Sequence, residues 1–505
     1  MVKIAVIGGG AASSCVIESL AKNLAPAAAV DITVFDAGPN LWSGSVFQPD
    51  VPEALANVGV EDMSLRSWDI HHGARWLRAR GHDRYVSTVN TNAFPPRALV
   101  GEYFKDTVRR TIADLREYGS TVTVQAQRVT AMHRVGGMWT LQTDAGTRES
   151  FDFAVLALGG AGAYDPYGLA GSPGYVGTPY PMHSSLAEVP QDAHVGIIGT
   201  GLTAIDVVMG LRGQGHRGRI SLMSRRGLLP SVRRAPCSYE PVHFTAENVE
   251  RLAAAGGGLS LGDVLELVRR ELAAAGADLS AMADELADDS SPIDRLRYDL
   301  AQVNKPDIGW QVLQKVVTTA AQTAWFLLRD RDKHHVKFSF HHLVMRLCCP
   351  MPPENGARLL ELLESGRLDV RSGLRGIDVL REGGHRAVFS DGVLDVDYTV
   401  DAATPAVHKI APPARSLVDS LILNGCAVPH PHGGLRLDRH TSRVVNAHAV
   451  ADARLYAVGD ITHGAFLFTF GIPVIADRST QIATAIRDFV LEGSMARSGG
   501  VPVVA

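Results

Sequence analysis

Two stretches of the chain share one pattern of apolar and polar positions. The first, "VKIAVIGGGAASSCVIESL", begins at Val2, and the second, "HVGIIGTGLTAIDVVMGL", begins at His194. Each has a short apolar run, then a turn rich in glycine, then apolar residues at helical spacing. This order predicts a buried strand, a tight turn and a helix in both places.

The first turn has the spacing Gly8-x-Gly10-x-x-Ser13. The first glycine of such a turn permits the sharp bend, and the second lets the backbone approach a pyrophosphate at the N-terminus of the helix. Ser13 stands where a third glycine is usual, and it is small enough for close packing of helix on strand. A glycine turn alone is weak evidence, because such turns occur in many parallel sheets.

An acidic residue strengthens the interpretation of the first turn. The stretch "VDITVFDAG" predicts a second strand that ends at Asp36. An acid about 20 residues beyond the turn is placed to accept hydrogen bonds from a ribose. The sequence therefore predicts an adenine dinucleotide site in the first unit.

The second turn, Gly199-x-Gly201-x-x-Ala204, repeats the design, with Thr203 in the first helical turn. The strand predicted after it, "RISLMSRRGLLP", ends with Ser224, Arg225 and Arg226, the position that Asp36 holds in the first unit. Arginines there suit a 2′-phosphate and so favour NADPH over NADH. The alternative is that both arginines belong to a solvated charged turn.

Other patterns divide the rest of the chain. Residues 121–146 alternate apolar and polar side chains, which predicts an antiparallel excursion. Residues 245–328 predict a mostly helical insertion, with a helix that Ser260 caps and whose apolar face includes Leu265. The fold class is thus α/β, with two Rossmann-like dinucleotide-binding domains and a mostly helical insertion. The predicted parts are 1–186 (FAD), 187–244 (NADPH), 245–370 (insertion and remainder of the NADPH or substrate domain) and 371–505 (return to the FAD domain).

Composition excludes several classes of function. The chain has 505 residues, 46% of them hydrophobic and 20% charged, with a net charge of −4, so neither nucleic acid nor a membrane is an expected partner. The five cysteines form no CxxC pair, which fits a reducing cytoplasm and argues against a disulfide reductase. There is no HExxH or Cys/His ligand spacing, so no metal site is predicted. His334, His335, His341 and His342 favour polar packing or an interface.

With these two turns, the chain resembles the flavoproteins that carry two dinucleotide-binding domains. The resemblance implies FAD in the first turn and NADPH in the second. It extends to "RLYAVGDITHGAFLFTFGIPVIA", where Gly459 and Asp460 match the family's second FAD contact and a turn at Pro473 starts a helix facing the flavin. An ordinary turn at the end of a strand is the alternative for Asp460.

Within that superfamily the chain is most similar to proteins related to class B flavin monooxygenases, including N-hydroxylating enzymes. The resemblance places Asn57, Met63 and Ser64 on the flavin side and Arg97 near the cofactor. Val129, at the first strand of the alternating stretch, is expected to pass close to the adenine. The Baeyer–Villiger fingerprint is absent. His183 is a candidate for shaping the nicotinamide side, with a surface position as the alternative, and no side chain is predicted to be catalytic.

The resemblance implies an FAD-dependent, NADPH-using monooxygenase. It would form a flavin C4a-hydroperoxide and oxygenate a small molecule with molecular oxygen, for example by N-hydroxylation of an amine or amino acid. One alternative is a reductase or dehydrogenase that passes electrons to an acceptor other than oxygen. Another is a flavin-binding scaffold without catalytic activity. The sequence indicates neither the substrate nor the oligomeric state.

Overall fold

Two parallel β-sheets organise the chain, and each contains one of the two glycine turns. The computed structural model describes residues 1–25, 27–86, 93–160, 164–235, 239–287, 290–305, 308–403 and 410–498. In chain order its strands are β1 (Val2–Ile7), β2 (Val30–Phe35), β3 (Thr121–Gln125), β4 (Val129–Val135), β5 (Met138–Thr143), β6 (Arg148–Phe151), β7 (Phe153–Leu156), β8 (Tyr175–Val176), β9 (Val195–Ile198), β10 (Ile220–Met223), β11 (Leu368–Arg371), β12 (Gly376–Val379), β13 (His385–Val388), β14 (Val393–Val396), β15 (Tyr398–Asp401), β16 (Arg443–Val445) and β17 (Ala451–Ala457).

The helices lie on the faces of these sheets or in the insertion. In chain order they are α1 (Ala11–Asn23), α2 (His72–Arg78), α3 (Arg97–Glu117), α4 (Met182–Ser185), α5 (Leu202–Gly213), α6 (Ala246–Gly256), α7 (Leu261–Ala274), α8 (Leu279–Ala287), α9 (Pro292–Gln302), α10 (Ile308–Thr319), α11 (Ala321–Leu327), α12 (Asp330–His335), α13 (His341–Cys348), α14 (Pro353–Glu364), α15 (Arg415–Leu423) and α16 (Ile472–Ser498). A π-helical segment, Val336–Phe340, joins α12 to α13. Among the helices of the described residues, none has both the length and the apolar content needed to cross a bilayer.

The first sheet has the strand order β16-β17-β7-β1-β2-β3. Its central strand β1 pairs in parallel with β2 and β7, and Ile4 to Ile7 are buried. Ile4 and Val6 share a core with α1 and α16 on one face, and Ala5 and Ile7 share a core with β4 and β5 on the other. Helices α1 and α16 pack against each other on one face. The sheet therefore combines the first 160 residues with the C-terminal part of the chain.

The alternating region at 121–146 is only partly the antiparallel excursion that its pattern predicts. Strands β4, β5 and β6 form that antiparallel sheet, but β3 joins the first sheet in parallel with β2. Alternation of side chains is the same in both kinds of strand, so the pattern does not determine which neighbour a strand takes.

The second sheet has the order β11-β10-β9-β15-β8, and all of its pairs are parallel. Its membership corrects two predicted boundaries. Strand β8 belongs to it although it precedes residue 187, and β15 belongs to it although it follows residue 371. The chain returns to the first sheet only at β16, after a three-stranded antiparallel excursion formed by β12, β13 and β14.

The helical insertion has a small core of its own, to which Phe244, Leu267, Leu272 and Val312 contribute. Ser260 caps α7 as predicted: its hydroxyl accepts a hydrogen bond from the Asp263 backbone N–H, and the Asp263 carboxylate accepts one in return. The prediction that Leu265 belongs to the apolar face is wrong, because its side chain is 59% exposed. The buried face of α7 instead passes through Leu267 and Leu272.

Candidate dinucleotide sites

The first glycine turn packs closely against the backbone that follows strand β7. Gly8 has φ +105°, and a Cβ there would overlap the carbonyl oxygen of Ala157, which follows β7. The Gly8 N–H donates to the Phe35 carbonyl at 2.9 Å. Glycine is therefore required at this position by both conformation and space.

Gly10 differs from Gly8 in this respect. It is the N-cap of α1, with φ −86°, and no side chain caps the helix there. A Cβ on Gly10 would find its nearest neighbour, Gly44 Cα, at 3.6 Å, which is ordinary van der Waals contact. The first turn of α1 contains no acidic residue, so its unpaired backbone N–H groups and the helix dipole favour an anion.

Asp36 and Ser13 fix the shape of this turn. The Asp36 carboxylate accepts hydrogen bonds from the Gly9 N–H at 2.5 Å and the Gly38 N–H at 2.6 Å. The Ser13 hydroxyl is buried and donates to the Gly8 carbonyl oxygen. Serine thus replaces the third glycine without loss of close packing, and Asp36 lies beside the turn, as predicted.

The C-terminal segment reaches the same edge of the first sheet. Gly459 has φ +82°, and a Cβ on it would lie 3.5 Å from the Ala12 Cβ in the first turn of α1. A Cβ on Gly160 would lie 2.8 Å from Asp460 Oδ2. Helix α16 begins at Ile472, with Pro473 in its first turn. The structure therefore brings Gly459 and Asp460 to the first glycine turn.

The remaining residues predicted on the flavin side have structural contacts of their own. Met63 and Val129 are both buried, Met63 in the core with α1 and α16 and Val129 in the cluster that contains Phe35. The Asn57 carbonyl accepts a hydrogen bond from Arg233 Nε at 2.7 Å, across the boundary between the two sheets. Met63 and Val129 thus contribute to packing and Asn57 to a contact between the two units, and the predicted roles of all three toward the flavin stay predictions.

Arg97 lies in a buried network between the two dinucleotide-binding units. Its guanidinium contacts Asp206 on α5 at 2.9 Å, the Tyr180 hydroxyl at 3.1 Å and the Leu55 carbonyl at 3.0 Å. The Tyr180 hydroxyl donates to Asp206 Oδ2 at 2.5 Å. Burial raises the pKa of Asp206, while Arg97 and Tyr180 act in the opposite direction. These contacts place Arg97 between the two dinucleotide-binding units, and its predicted position near the cofactor stays a prediction.

The second glycine turn has the same construction as the first. Gly199 has φ +112°, and its Cβ would lie 2.9 Å from the carbonyl oxygen of Ala402, which follows β15. Gly201 is the N-cap of α5, with φ −81° and no capping side chain, and a Cβ on it would meet nothing within 4 Å. In both turns, therefore, the first glycine avoids a clash with a backbone carbonyl, and the second leaves room that a Cβ could fill.

Ser224 lies next to this second turn. Its hydroxyl accepts hydrogen bonds from the Thr200 hydroxyl at 3.4 Å and from the Gly227 N–H at 2.9 Å. Arg225 and Arg226 follow it and are exposed at the carboxyl end of β10. Thr203 instead shares a hydrogen bond with Tyr180, in the network around Arg97.

Asp401 is a buried acid at this site that the sequence patterns do not indicate. It ends β15 next to the Gly199 turn, and its carboxylate accepts hydrogen bonds from the Ala403 N–H at 2.9 Å and the Tyr175 hydroxyl at 3.1 Å. Burial raises its pKa to about 6. The strand end "VDAA" contains this acid, but nothing in the motif signals its burial.

Helix α11 of the insertion contributes two further side chains to this region, and no sequence motif indicates them. Gln322 on α11 donates to the Phe468 carbonyl at 3.1 Å and accepts from the Leu467 N–H at 3.0 Å. Trp325 Nε1 donates to the Gly464 carbonyl at 3.1 Å. Three hydrogen bonds from α11 thus hold the segment that leads into α16.

The histidines singled out in the sequence lie in different parts of the structure. The His183 side chain is 57% exposed and lies 3.6 Å from Asp50, which also accepts the His183 backbone N–H. His334 and His335 end α12, whereas the side chains of His341 and His342 lie outside the described residues. Within the described part of the chain, no group of three or more His, Cys, Asp or Glu side chains is arranged to hold a metal ion.

The chain is similar in sequence to a known protein family and to one curated protein. Residues 5–161 match a protein-family model described as FAD-NAD(P)-binding. This part of the chain is an FAD/NAD(P)-binding domain. Over 420 residues the chain is 24% identical to the uncharacterized protein YdhS of Escherichia coli K12, covering 73% of this chain and 77% of YdhS.

Three solved structures share the fold over nearly the whole chain. L-lysine 6-monooxygenase from Pseudomonas syringae has a TM-score of 0.57 at 14% identity, covering 97% of this chain and 100% of its own. The cadaverine monooxygenase DfoA of Erwinia amylovora, bound to FAD, has a TM-score of 0.56 at 11% identity, covering 96% and 94%. The ornithine N-hydroxylase KtzI of Kutzneria sp. 744, with reduced FAD, NADP⁺ and L-ornithine, has a TM-score of 0.52 at 16% identity, covering 98% and 99%.

The predicted fold class is therefore confirmed, with two dinucleotide-binding units and a helical insertion. The fold is that of N-hydroxylating flavin monooxygenases, as the sequence resemblance implied. The match to the FAD-NAD(P)-binding model agrees with the predicted cofactors, FAD and NADPH.

Proposed function

We propose that this protein is an FAD-dependent oxidoreductase that takes electrons from NADPH and uses molecular oxygen to hydroxylate the nitrogen of an amine or amino acid. The oxidoreductase part follows from the two dinucleotide sites. The monooxygenase part is supported by the fold shared with lysine, ornithine and cadaverine hydroxylases.

The space at Gly10 and Gly201 carries the proposal. Both residues have negative φ and room for a Cβ, so neither the backbone nor the packing of the chain requires glycine there. Each lies at the uncapped N-terminus of a helix that follows a parallel strand. A diphosphate drawn against the backbone N–H groups would need that space, which explains both glycines by one cause.

The surrounding side chains distinguish the two sites. Asp36 is placed to accept hydrogen bonds from a ribose, and Asp460 lies at the same edge for the remainder of FAD. Ser224, Arg225 and Arg226 offer a hydroxyl and two guanidinium groups for the 2′-phosphate of NADPH. Bound FAD would supply the redox chemistry, and NADPH the hydride.

Aromatic residues beside α16 support chemistry in a dry site. Phe466 and Phe468 are buried, and the Phe468 ring contacts the half-exposed Phe470 edge to face, with centroids 6.1 Å apart. Gln322 holds the backbone of this segment in place. A rigid apolar wall excludes water from reactive species, which oxygen transfer requires more strictly than simple electron transfer.

The test begins with flavin reduction in the absence of oxygen. The purified protein loaded with FAD should lose its visible flavin absorbance on addition of NADPH. Gly201→Ala should fold normally yet bind NADPH at least about ten-fold more weakly, because the new methyl group occupies the diphosphate space. Gly262→Ala is the matched control, since this residue lies on α7 of the insertion and its Cβ would meet only Ser260 Oγ at 3.6 Å.

The second stage admits oxygen together with ornithine, lysine or cadaverine as probes. A monooxygenase should consume NADPH and oxygen in equal amounts, yield a hydroxylamine and release little hydrogen peroxide with an amine that it accepts. Full conversion of oxygen to peroxide with every amine, together with rapid electron transfer to a quinone, would favour the alternative reductase. A protein that retains no FAD would contradict the whole proposal.

A further inference from the structure

A cavity of about 290 Å³ lies beyond the end of β10, between the second sheet and the insertion. One wall is the loop Arg226 to Pro230, another is the end of β11, and the third consists of residues from α9 and α13. The residues that matter for its chemistry are Arg226, Ser291, Arg295, Asp299, Arg346 and Ser372. Its size suits part of a dinucleotide rather than a whole one.

This cavity begins at Arg226, two residues beyond Ser224 on the loop that follows β10. The Ser224 N–H donates to the Arg371 carbonyl at 3.0 Å, and the Gly373 N–H donates to the Arg225 carbonyl at 3.1 Å. These bonds hold the loop after β10 against the loop after β11. Arg226, the next residue, already lines the cavity. A ligand that extends from Ser224 along this loop would therefore meet the cavity at Arg226.

The guanidinium of Arg346 is the second observation that points to an anion. Its side chain is only 13% exposed, and its closest ion-pair contact among the described residues is Asp299 Oδ2 at 3.6 Å, longer than a hydrogen bond. Nε of Arg346 is buried and has no hydrogen-bond partner in the described part of the chain. Burial lowers the pKa of Arg346 and so does the nearby Arg295, whereas Asp299 and Glu285 act in the opposite direction without restoring it. A buried guanidinium in this state gains from an additional anionic partner.

The two acidic side chains nearby, Glu285 and Asp299, are each shared between arginines. Arg295 contacts Glu285 at 3.3 Å and Asp299 at 3.5 Å, and Arg234 contacts Glu285 at 2.7 Å. Trp310 Nε1 also donates to Glu285, at 2.7 Å. Asp299 is thus shared between Arg295 and Arg346, which leaves the cavity wall with more basic than acidic groups among the residues that line it.

We propose that this cavity receives the adenosine 2′-phosphate end of NADPH, with Arg346 of the insertion contacting the phosphate together with Arg226. The inference rests on the proposed function, because it concerns the same coenzyme. The insertion would then help to select NADPH over NADH. The glycine turn and the end of β10 by themselves imply no such role for the insertion.

Binding of 2′,5′-ADP and 5′-AMP to the FAD-loaded protein, measured by calorimetry, tests the inference. The two probes differ only by the 2′-phosphate. Arg346→Gln should weaken 2′,5′-ADP binding at least about ten-fold and leave 5′-AMP binding and flavin reduction by NADH unchanged. Arg367→Gln is the matched control, because this arginine is exposed at the start of β11 and does not line the cavity.

Ser372→Tyr keeps the test decisive if Arg346→Gln fails to fold. Ser372 is exposed at the rim, so a larger side chain there can enter the cavity without disturbing the core. This variant should weaken binding of both nucleotides, and thermal melting should show the wild-type midpoint.

Three results would overturn the inference. Unchanged 2′,5′-ADP binding in both variants, with loss in Arg225→Gln, would place the phosphate on the exposed strand-end arginine alone and leave the proposed function intact. Binding of inorganic phosphate in the cavity while NADPH is saturating would assign the cavity to a separate anion. A wild-type protein that holds FAD but binds neither probe, and whose flavin NADPH does not reduce, would overturn the inference and the proposed function together.

Discussion

Replacing Arg97 by methionine should expose how strongly the buried interface network depends on its charge. The change leaves the Asp206 carboxylate buried, with the Tyr180 hydroxyl as its remaining side-chain hydrogen-bond donor among the described residues. For unit charges 2.9 Å apart, Coulomb's law with an effective dielectric constant of about 20 gives an attraction of about 6 kcal/mol. Part of that attraction offsets the cost of burying both ions, so we expect Arg97→Met to lower the free energy of unfolding by about 3–5 kcal/mol.

The pH dependence of stability provides a second, independent test of this prediction. Burial already raises the pKa of Asp206, and loss of Arg97 should raise it further. The folded variant would then bind a proton more tightly than the unfolded chain. Its stability should fall as pH rises from about 4, the ordinary aspartate value, through the raised folded pKa.

Urea unfolding at several pH values is the assay, with Arg386→Met as the control. Arg386 and Asp395 form a pair of similar length, 2.7 Å, but both side chains are about half exposed. The control should show no resolvable change, because exposed ion pairs are screened by solvent. The double variant Arg97→Met/Asp206→Leu should recover much of the lost stability. Equal, small effects of Arg97→Met and Arg386→Met, with no pH dependence, would refute the argument that Asp206 depends on this charge.

Three further predictions concern single side chains. Gly8→Ala should destabilise the fold by more than about 3 kcal/mol and abolish FAD retention, because alanine at φ +105° would also overlap the Ala157 carbonyl; normal thermal melting would contradict this. Glu271→Gln should lower the free energy of unfolding by about 2–4 kcal/mol at pH 7. Burial disfavours the charge of Glu271, but hydrogen bonds from the Tyr239 hydroxyl and three backbone N–H groups hold the pKa of its carboxyl below the ordinary value. The wild type should therefore lose this stability as pH falls below about 4, and an acid titration of stability tests the prediction. Burial raises the pKa of Asp401 to about 6, so the wild type should lose about 1–2 kcal/mol of stability as pH rises from about 4 to about 6. Asp401→Asn should not show this loss. Identical pH profiles for variant and wild type in urea unfolding would rule this out.

The sequence alone determined the two glycine turns and the strands and helices on either side of them. Gly8 and Gly199 bend the backbone at positions fixed by the preceding strand, and the helix follows from the next few residues. Asp36 and Ser224 were predictable for the same reason, because each stands at the end of the next strand of its unit. Such features depend on local conformation and on the period of apolar residues, both of which are written within about 40 consecutive residues.

Only the tertiary structure decided how distant segments use these sites. Arg97 meets Asp206 across the interface, Gln322 of the insertion holds the segment before α16, and Arg346 reaches a cavity at the end of β10. β15 joins the second sheet rather than the first, and this placement puts the buried carboxyl of Asp401 beside the Gly199 turn. Contacts of this kind depend on which surfaces pack together after the strands have assembled, and neither the period nor the spacing of residues along the chain specifies that packing.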